Sequence, residues 1–220
     1  MNFKKIAVLT SRKSWFVPYA KKFVNTLKKK GLNPKLFFNH KQISGGYNIV
    51  FILSYFEIIN KEFLSRHKHN LVVHESDLPQ HRGWSPLFWQ ILENKNKIPI
   101  VLFEASDKAD AGGIYLKDLI FYKGNELHGE IRRKQAEKTI ELCLKFIKLH
   151  KKLNIKKQKG KATYCKKRTP LDSKLDINKS LKEQFNLLRI VNNEEFPAFF
   201  NYRCRKYIIK IYQDKNKNRQ

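Results

Sequence analysis

Short apolar runs alternate with segments of helical spacing through the first half of this chain. The runs have the length and continuity of strands buried in a parallel sheet, at 5–10, 34–39, 47–53, 70–74 and 98–103. Apolar residues spaced three and four apart predict helices between them, at 19–30, 61–68 and 84–92. This alternation indicates an α/β fold with a Rossmann-like, mostly parallel sheet flanked by helices.

The second half of the pattern predicts one long helix and a smaller unit. One further strand or two are expected at 114–122, and the longest helix at 126–149. The like-charge stretch 150–161 indicates a solvated, basic linker over 151–161. We therefore predict a main domain at 1–150 and a small C-terminal α+β subdomain at 162–213. Its parts are a helix near 178–191 and a β-hairpin within 199–212, followed by a disordered tail at 214–220.

Two strands are followed directly by polar residues. The fourth continues into V-V-H-E-S-D-L-P-Q-H-R-G-W-S-P at 72–86, and the fifth into V-L-F-E-A-S-D-K-A-D-A-G-G-I at 101–114. Since ligands bind at the carboxyl edge of such sheets, His74 and Asp110 are expected to meet there, at neighbouring strand ends. A histidine beside a carboxylate is the core of a general-base site. The alternatives are a strand-end histidine without a catalytic role and an aspartate that only forms a turn before glycine.

The motif H-x-S-x-L-P-x-x-R-G at 74–83, followed by D-x-G at 110–112, resembles the folate-dependent formyltransferases. The segments S-D-L-P and G-W-S-P within 76–86, together with F-P-A-F-F at 196–200 near the C-terminus, make the resemblance greatest to the sugar N-formyltransferases. It implies a cytoplasmic transferase whose catalytic domain is 1–150. The formyl donor would be 10-formyltetrahydrofolate. The acceptor would be the amine of a UDP- or dTDP-linked 4-amino-4,6-dideoxy sugar destined for a surface glycan such as O-antigen lipopolysaccharide.

Two other functions stay open. The first is a methionyl-tRNA formyltransferase, although the C-terminal part is short for a tRNA-binding domain, and transfer RNA is therefore the less expected partner. The second is a catalytically weak module that binds folate or a nucleotide. The resemblance leaves a homodimer open as well.

The resemblance also assigns roles to residues. His74 would stabilise the oxyanion and relay a proton, and Asp110 would act as the base or orient it. The folate would contact the loops after the third and fifth strands, at Ser54, Tyr55, Phe56, Ile58, Phe103, Glu104, Ala105 and Asp107. The acceptor would contact Ser11, Arg12, Ser14, Trp15, Ser76, Asp77, Arg82, Gly83, Arg168, Phe196 and Phe199. From the residues alone, the serines near 11–14 could equally cap a helix, and the aromatic residues could pack in a core.

One position departs from the family pattern N-x-H-x-S-x-L-P, because Val72 stands where the asparagine amide would donate to an oxyanion. Asn70 lies two residues deeper in the strand and is not expected to reach the site. Either His74 and Asp110 work with a backbone amide or water, or turnover is slow. Loss of one such donor costs on the order of a hundredfold in rate.

Composition excludes some functions and leaves others open. A formal net charge of +27 is typical of proteins that bind nucleic acid. The lysines are scattered along the chain, however, which favours the interpretation that they lie on solvated faces or attract anionic ligands such as pyrophosphate. The turn after the first strand lacks G-x-G-x-x-G, which argues against a nicotinamide enzyme. The 3 cysteines are widely spaced and suggest neither a disulfide framework nor a metal site, as expected in a reducing cytoplasm. No apolar run is long enough to cross a bilayer.

Overall fold

A central six-stranded sheet organises the protein, whose computed structural model describes residues 3–214. The strand order is β2-β1-β3-β4-β6-β7, with two small two-stranded sheets outside it. The strands are β1 Ile6–Leu9, β2 Pro34–Phe37, β3 Ile49–Ile52, β4 Asn70–His74, β5 Arg82–Gly83, β6 Lys97–Glu104, β7 Ile114–Phe121, β8 Tyr164–Cys165, β9 Ala198–Tyr202 and β10 Arg205–Ile209. The predicted fold, a mostly parallel sheet flanked by helices, is confirmed.

The helices cover both faces of this sheet. They are α1 Val17–Lys29, α2 Lys61–Ser65, α3 Pro86–Leu92, α4 His128–Leu149 and α5 Phe185–Ile190, with short 3-10 helices at His40–Gln42, His150–Lys152 and Pro170–Ser173. Helix α1 buries the face that its spacing predicts, and Phe23 packs edge-on against Phe51 of β3 with ring centroids 5.3 Å apart. Burial of one such side chain contributes about 1.5–3 kcal/mol, so this face anchors α1 to the sheet.

The direction of β6 differs from the prediction. Strands β1 to β4 are parallel, but β6 is antiparallel to β4 and β7 is antiparallel to β6. Glu104, the last residue of β6, therefore pairs with Leu71 near the start of β4. The prediction that His74 and Asp110 extend from neighbouring carboxyl ends is wrong for this physical reason. An apolar run that is buried on both faces has the same pattern in either direction.

The C-terminal helix is shorter than the predicted 178–191. Before α5, the backbone N–H of Asp176 donates to Gln184 Oε1 at 2.7 Å, and that of Ser180 donates to Glu183 Oε2 at 2.8 Å. Such local bonds between side chains and backbone compete with helix formation, so the chain forms turns until Phe185. The predicted hairpin is present as antiparallel β9 and β10.

A buried arginine attaches this C-terminal part to the main sheet. Arg189 of α5 has no solvent exposure; its Nη2 donates to Asn96 Oδ1 at 2.8 Å, and its Nη1 lies 3.4 Å from Glu126 Oε2. A buried charge is tolerated when it is paired and hydrogen-bonded in this way. The division into a main domain and a small subdomain stays a prediction, but the two parts share this polar contact.

The stretch predicted to be a basic linker makes specific contacts. Lys156 and Ile114 exchange two backbone hydrogen bonds, of 2.8 and 2.9 Å, which extends β7 at its beginning. Farther along, β8 pairs in parallel with β5, a pairing that the sequence did not predict. Of the predicted tail 214–220, residues 215–220 lie outside the described residues.

Two properties of residues 3–214 concern membranes and metal ions. Within that range, each helix is too short or too polar to span a membrane. The same residues contain no group of three histidine, cysteine, aspartate or glutamate side chains that could hold a metal ion.

Candidate active site

A cavity of about 750 Å³ opens where the parallel strands end. The turn after β1 contributes Ser14 and Trp15 to its wall, the end of β3 contributes Ser54, and the end of β4 contributes His74. This is the carboxyl edge at which open α/β sheets bind ligands. The volume lies within the roughly 300–1,000 Å³ of small-molecule sites.

His74 is oriented by one hydrogen bond. It is 6% exposed, and its Nε2 lies 2.8 Å from the backbone carbonyl of His81. A carbonyl oxygen only accepts, so Nε2 carries a proton and Nδ1 holds the lone pair of the neutral ring. Nδ1 lies 3.8 Å from Asp110 Oδ1. His74 can therefore take up a proton at Nδ1, beside a carboxylate that would stabilise the charged ring.

The loop of residues 105–113 turns back from the end of β6 and brings Asp110 to His74. Asp110 has φ 52°, and its Oδ2 accepts a 2.8 Å hydrogen bond from the Gly83 N–H. Gln158 Nε2 donates to the carbonyls of Asp110 and Gly112, both at 2.8 Å. Arg82 Nη2 in turn donates to Gln158 Oε1 at 2.6 Å. The position of Asp110 thus depends on a side chain from the predicted linker.

Both motif glycines stand where a side chain would collide with backbone. A Cβ on Gly112 would lie 1.6 Å from the Glu104 carbonyl oxygen, and one on Gly83 would lie 2.6 Å from the Cys165 carbonyl oxygen. Gly83 also has φ 97°, which L-residues rarely adopt. These two positions allow the loop and the β5–β8 pair to pack closely around Asp110.

One wall offers aromatic rings and turn backbone. Phe56 is 47% exposed and Trp84 is 40% exposed, with ring centroids 6.1 Å apart. The ring of Trp84 lies at the cavity, where a planar ligand can stack. On the same wall, Ser14 Oγ and Ser54 Oγ are hydrogen-bonded at 2.8 Å. Behind it, Ser11 Oγ accepts from the Phe56 N–H at 2.8 Å.

Another part of the cavity wall is cationic. The Arg132 guanidinium lies 4.3 Å from the ring centroids of both Trp15 and Phe88, and burial lowers its pKa to about 10. Arg168 lies 5.7 Å from the centroid of Phe88, and burial lowers its pKa too. Burial, and then the charges of these two arginines, lowers the pKa of His128 to about 4. His128 is therefore neutral near pH 7.

The structure brings together ten of the predicted site residues. The cavity wall includes His74, Asp110, Ser14, Trp15, Ser54, Tyr55, Phe56, Gly83, Arg168 and Phe196. The remaining predicted residues lie outside the wall, namely Ser11, Arg12, Ser76, Asp77, Arg82, Ile58, Phe103, Glu104, Ala105, Asp107 and Phe199. Ser11 and Arg82 support wall residues from behind through the bonds given above.

Direction and burial explain why several predicted residues lie elsewhere. Phe103 and Glu104 belong to the antiparallel β6; Phe103 is 1% exposed in the core, and Glu104 lies near the start of β4. Ile58 is 83% exposed. Asp77 pairs with Lys117 at 2.5 Å. Phe199 is buried in the C-terminal part, where Lys206 Nζ lies 4.1 Å from its ring centroid.

Arg12 and Ser76 also lie away from the cavity wall. The Arg12 guanidinium stacks on Phe38 at 4.8 Å from the ring centroid. Ser76 is fully buried. Neither reaches the cavity wall, so the predicted acceptor contacts at these positions are not supported by the geometry.

Helix α4 contributes wall residues that sequence reasoning missed. Arg132, Gln135 and Thr139 line the cavity, and the last two are buried. All three lie on the helix face that packs against the sheet. A polar residue within a predicted apolar stripe was the signal that could have revealed them, because buried polar groups need a partner or a ligand. Glu75, Asn192 and Glu195 were also missed and gave no comparable signal.

Val72 lies on the wall two residues before His74. Asn70, the nearest asparagine in the strand, donates through Nδ2 to the Leu64 carbonyl at 2.9 Å. Its amide N–H groups are therefore directed to α2 and not to the cavity. Asn70 therefore does not supply the amide that the resemblance would imply beside His74.

Comparison with known proteins gives a consistent assignment of family. A family model described as formyl transferase matches residues 4–147, more than half of the chain. Methionyl-tRNA formyltransferase of Fusobacterium nucleatum is 28% identical over 172 residues, which are 76% of this chain and 54% of that protein. The chain thus spans about half the length of the curated relatives it matches.

Solved structures of low sequence identity share the fold. Methionyl-tRNA formyltransferase from Clostridium thermocellum superposes with a TM-score of 0.80 at 23% identity, covering 97% of this chain and 95% of that one. A sugar N-formyltransferase from Shewanella gives 0.72 at 14% identity, covering 98% and 100%. HypX from Aquifex aeolicus in complex with tetrahydrofolic acid gives 0.78 at 14% identity, covering 96% and 38%.

Proposed function

Because this chain belongs to the formyl transferase family, we propose that it transfers a formyl group from 10-formyltetrahydrofolate to an amino group of a nucleotide-linked sugar. The acceptor class is a UDP- or dTDP-linked 4-amino-4,6-dideoxy sugar, and the product would be used in a surface glycan. The observation that carries this proposal is the pair of His74 Nδ1 and Asp110 Oδ1, 3.8 Å apart, on the wall of a cavity of small-molecule size.

The protein's own groups handle the proton of the attacking amine. His74 Nδ1 accepts it, while Nε2 stays bonded to the His81 carbonyl and keeps the ring in place. Asp110 then faces an imidazolium, which its carboxylate stabilises. The geometry therefore favours Asp110 as the group that orients and stabilises the base. An oxyanion role for His74 Nε2 would require its bond to His81 to break.

The residues present fit a folate. The left-handed turn at Ser54, with φ 50°, presents backbone of residues 54–56 at the wall, and Phe56 and Trp84 offer exposed rings for stacking. When bound, the folate supplies an activated formyl group. Because the Phe56 N–H is held by Ser11 Oγ, the ring of Phe56 is positioned from its backbone.

Size and wall chemistry favour a small acceptor over transfer RNA. The wall combines aromatic rings with the guanidinium groups of Arg132 and Arg168, which suit a nucleoside and its phosphates. The second candidate, methionyl-tRNA, is favoured by the 28% identity to a methionyl-tRNA formyltransferase and by the net charge of +27. Salt-sensitive binding of charged tRNA would support it.

The test is formyl transfer from 10-formyltetrahydrofolate to a panel of UDP- and dTDP-linked amino sugars, with methionyl-tRNA alongside. We expect turnover on an amino sugar that Asp110→Asn lowers by about a hundredfold or more. Turnover on tRNA alone would move the function to translation initiation. Folate binding without turnover on any acceptor would contradict the proposed reaction.

Val72 provides an experiment in the opposite direction. Val72→Asn introduces an amide donor at the wall position where the resemblance implies one. We expect a rise in kcat of about tenfold to a hundredfold, because one such donor typically has that effect. Val72→Leu is the matched control, since it changes the same side chain without adding an amide donor. An equal or lower kcat for Val72→Asn would show that this site does not depend on that amide.

A further inference from the structure

The cationic part of the cavity wall contains two guanidinium groups that each have one N–H without a hydrogen-bond partner among residues 3–214. The Nε atoms of Arg132 and Arg168 are both buried, and neither has a hydrogen-bond partner among the described residues. A buried N–H without an acceptor costs about 1–3 kcal/mol, and more when the group is charged. Two such groups on one cavity wall indicate a ligand that supplies acceptors.

Arg132 is held in place by its neighbours and not by a counter-ion. Its guanidinium lies between the rings of Trp15 and Phe88, 4.3 Å from each centroid, and Nη1 donates to Gln135 Oε1 at 2.9 Å. These contacts hold the guanidinium against two aromatic rings, while its Nε has no hydrogen-bond partner among residues 3–214. A fixed planar fork of donors matches the oxygens of a phosphate or carboxylate.

The second guanidinium faces the same ring. Arg168 lies 5.7 Å from the centroid of Phe88, and its Nη2 donates to the backbone carbonyl of Asp172 at 3.2 Å. Like charges that are both withdrawn from water repel each other. The nearby carboxylates Glu75 and Glu195 attract Arg132 only from a distance, since no ion pair joins Arg132 to any carboxylate in residues 3–214. An anion bound between the two arginines would relieve this repulsion.

We propose that Arg132 and Arg168 form an anion subsite that binds the diphosphate of the acceptor and thereby directs its amine toward His74. This inference rests on the proposed function and names the residues that would recognise the nucleotide part of the substrate. Trp15 and Phe88 act as positioning residues, because they hold the Arg132 guanidinium by stacking.

Calorimetric binding of UDP, dTDP and inorganic pyrophosphate to the full chain tests the subsite without any turnover. We expect Arg132→Gln and Arg168→Gln each to weaken binding by about tenfold to a hundredfold, the usual effect of losing a charged hydrogen bond. Arg132→Lys should recover part of the affinity, since it keeps the charge but loses the fork. The matched control is Arg133→Gln, the next residue of α4, which is exposed and paired with Glu137.

Tetrahydrofolate binding and the thermal unfolding midpoint identify variants that have merely lost their fold. A folded Arg132→Gln variant that binds the nucleoside diphosphates as tightly as the wild type would overturn the subsite, and so would a wild type that binds neither UDP, dTDP nor pyrophosphate. Amino-sugar turnover that is independent of both arginines would leave the proposed function standing and remove this inference. Diphosphate binding that needs both arginines, without formylation of any amino sugar, would support the subsite and contradict the proposed acceptor.

Discussion

A histidine paired with a carboxylate lies at each end of strand β4, His69 just before the strand and His74 as its last residue, and only the second pair faces the cavity. At the start, His69 Nδ1 lies 3.3 Å from Glu104 Oε2; at the end, His74 Nδ1 lies 3.8 Å from Asp110 Oδ1. Both carboxylates come from β6 or from the loop that follows it. The residue types and spacings are alike, so residue type alone does not separate a site from a structural contact.

The pairs differ in which atoms are already engaged. Glu104 accepts from the Asn70 backbone N–H and from the Tyr115 hydroxyl, the latter at 3.2 Å, and His69 packs edge-on against Phe146. The hydrogen bonds of Glu104 are therefore all made to groups of the protein beside it. At the other end, His74 Nδ1 has a carboxylate beside it but no hydrogen bond within 3.5 Å, and it faces the cavity. A side chain can accept a proton from a substrate when no group of the protein already donates a hydrogen bond to the same atom.

The largest effect should separate the two histidines by activity. We expect His74→Ala to lower kcat by about a hundredfold to ten-thousandfold, because general-base catalysis contributes that much. His69→Ala is the matched control and should lower stability while leaving kcat nearly unchanged. Steady-state formyl transfer together with thermal unfolding measures both. Equal losses of kcat would mean that the two pairs do not differ as described.

The loop that joins the two pairs provides the next test. In Gly112→Ala the new Cβ would meet the Glu104 carbonyl oxygen, so the loop must move away from β6 and take Asp110 with it. We expect the free energy of unfolding to fall by about 3 kcal/mol and activity to be lost.

Gly129→Ala is the control for this loop variant, since a Cβ added at this position in α4 would have nothing within 4 Å of it. It should leave activity unchanged and raise stability by up to about 1 kcal/mol. Chemical denaturation measures both variants. An active, stable Gly112→Ala protein would show that the loop can hold Asp110 without this close approach.

A third histidine, His128, differs from both histidine–carboxylate pairs, because it lines the cavity beside two arginines and not beside a carboxylate. Its pKa is about 4 in the folded protein, below the ordinary 6.5. Between these values the unfolded chain binds a proton that the folded chain does not, so stability should fall as pH is lowered from 6.5 toward 4. The expected loss is on the order of 2 kcal/mol.

Denaturation of the wild type and of His128→Gln at pH 7 and at pH 4.5 measures this effect. The glutamine cannot titrate, so the variant should lose less stability than the wild type over the same interval. Parallel curves for the two proteins would show that His128 is not held neutral by its surroundings.

The smallest expected effect lies at the closed pair. Tyr115→Phe removes the hydroxyl that donates to Glu104 and should lower the free energy of unfolding by about 1 kcal/mol, the usual net value of a hydrogen bond. Formyl transfer should be unchanged, since Tyr115 is not on the cavity wall. A marked fall in kcat for this stable variant would connect the closed pair to the reaction.

The sequence predicted the sheet well where pattern and burial coincide. The apolar run 70–74 is β4 without change of bounds, and the other predicted strands of the sheet differ from the observed ones by only a few residues at their ends. The pattern could not predict the direction of β6. A strand that is buried on both faces has the same continuous apolar pattern whether it runs parallel or antiparallel to its neighbour. It also missed β5 and β8, whose two residues each are too few to form a pattern.

The sequence predicted the histidine and the aspartate of the candidate site, but not the other residues that hold them in place or complete the cavity wall. His74 and Asp110 were found because a motif joins them, and the structure brings them to one cavity. Gln158 could not be found in the same way, because its amide lies in a charged stretch that reads as a linker. Arg132 was hidden for a related reason, since the helical pattern of α4 reports which face is buried but not which part of that face borders a cavity.

The dependence of Asp110 on Gln158 has a consequence for biosynthesis. Chains are made from the N-terminus, and domains begin to fold as they emerge from the ribosome. When residue 110 emerges, the amide that holds its loop and the β8 strand that pairs beside Gly83 have not yet been made. The sheet can form early, but the geometry of the candidate site is completed only by a segment that is translated later. A nascent chain of this protein can therefore form its sheet before the contacts that hold Asp110 exist.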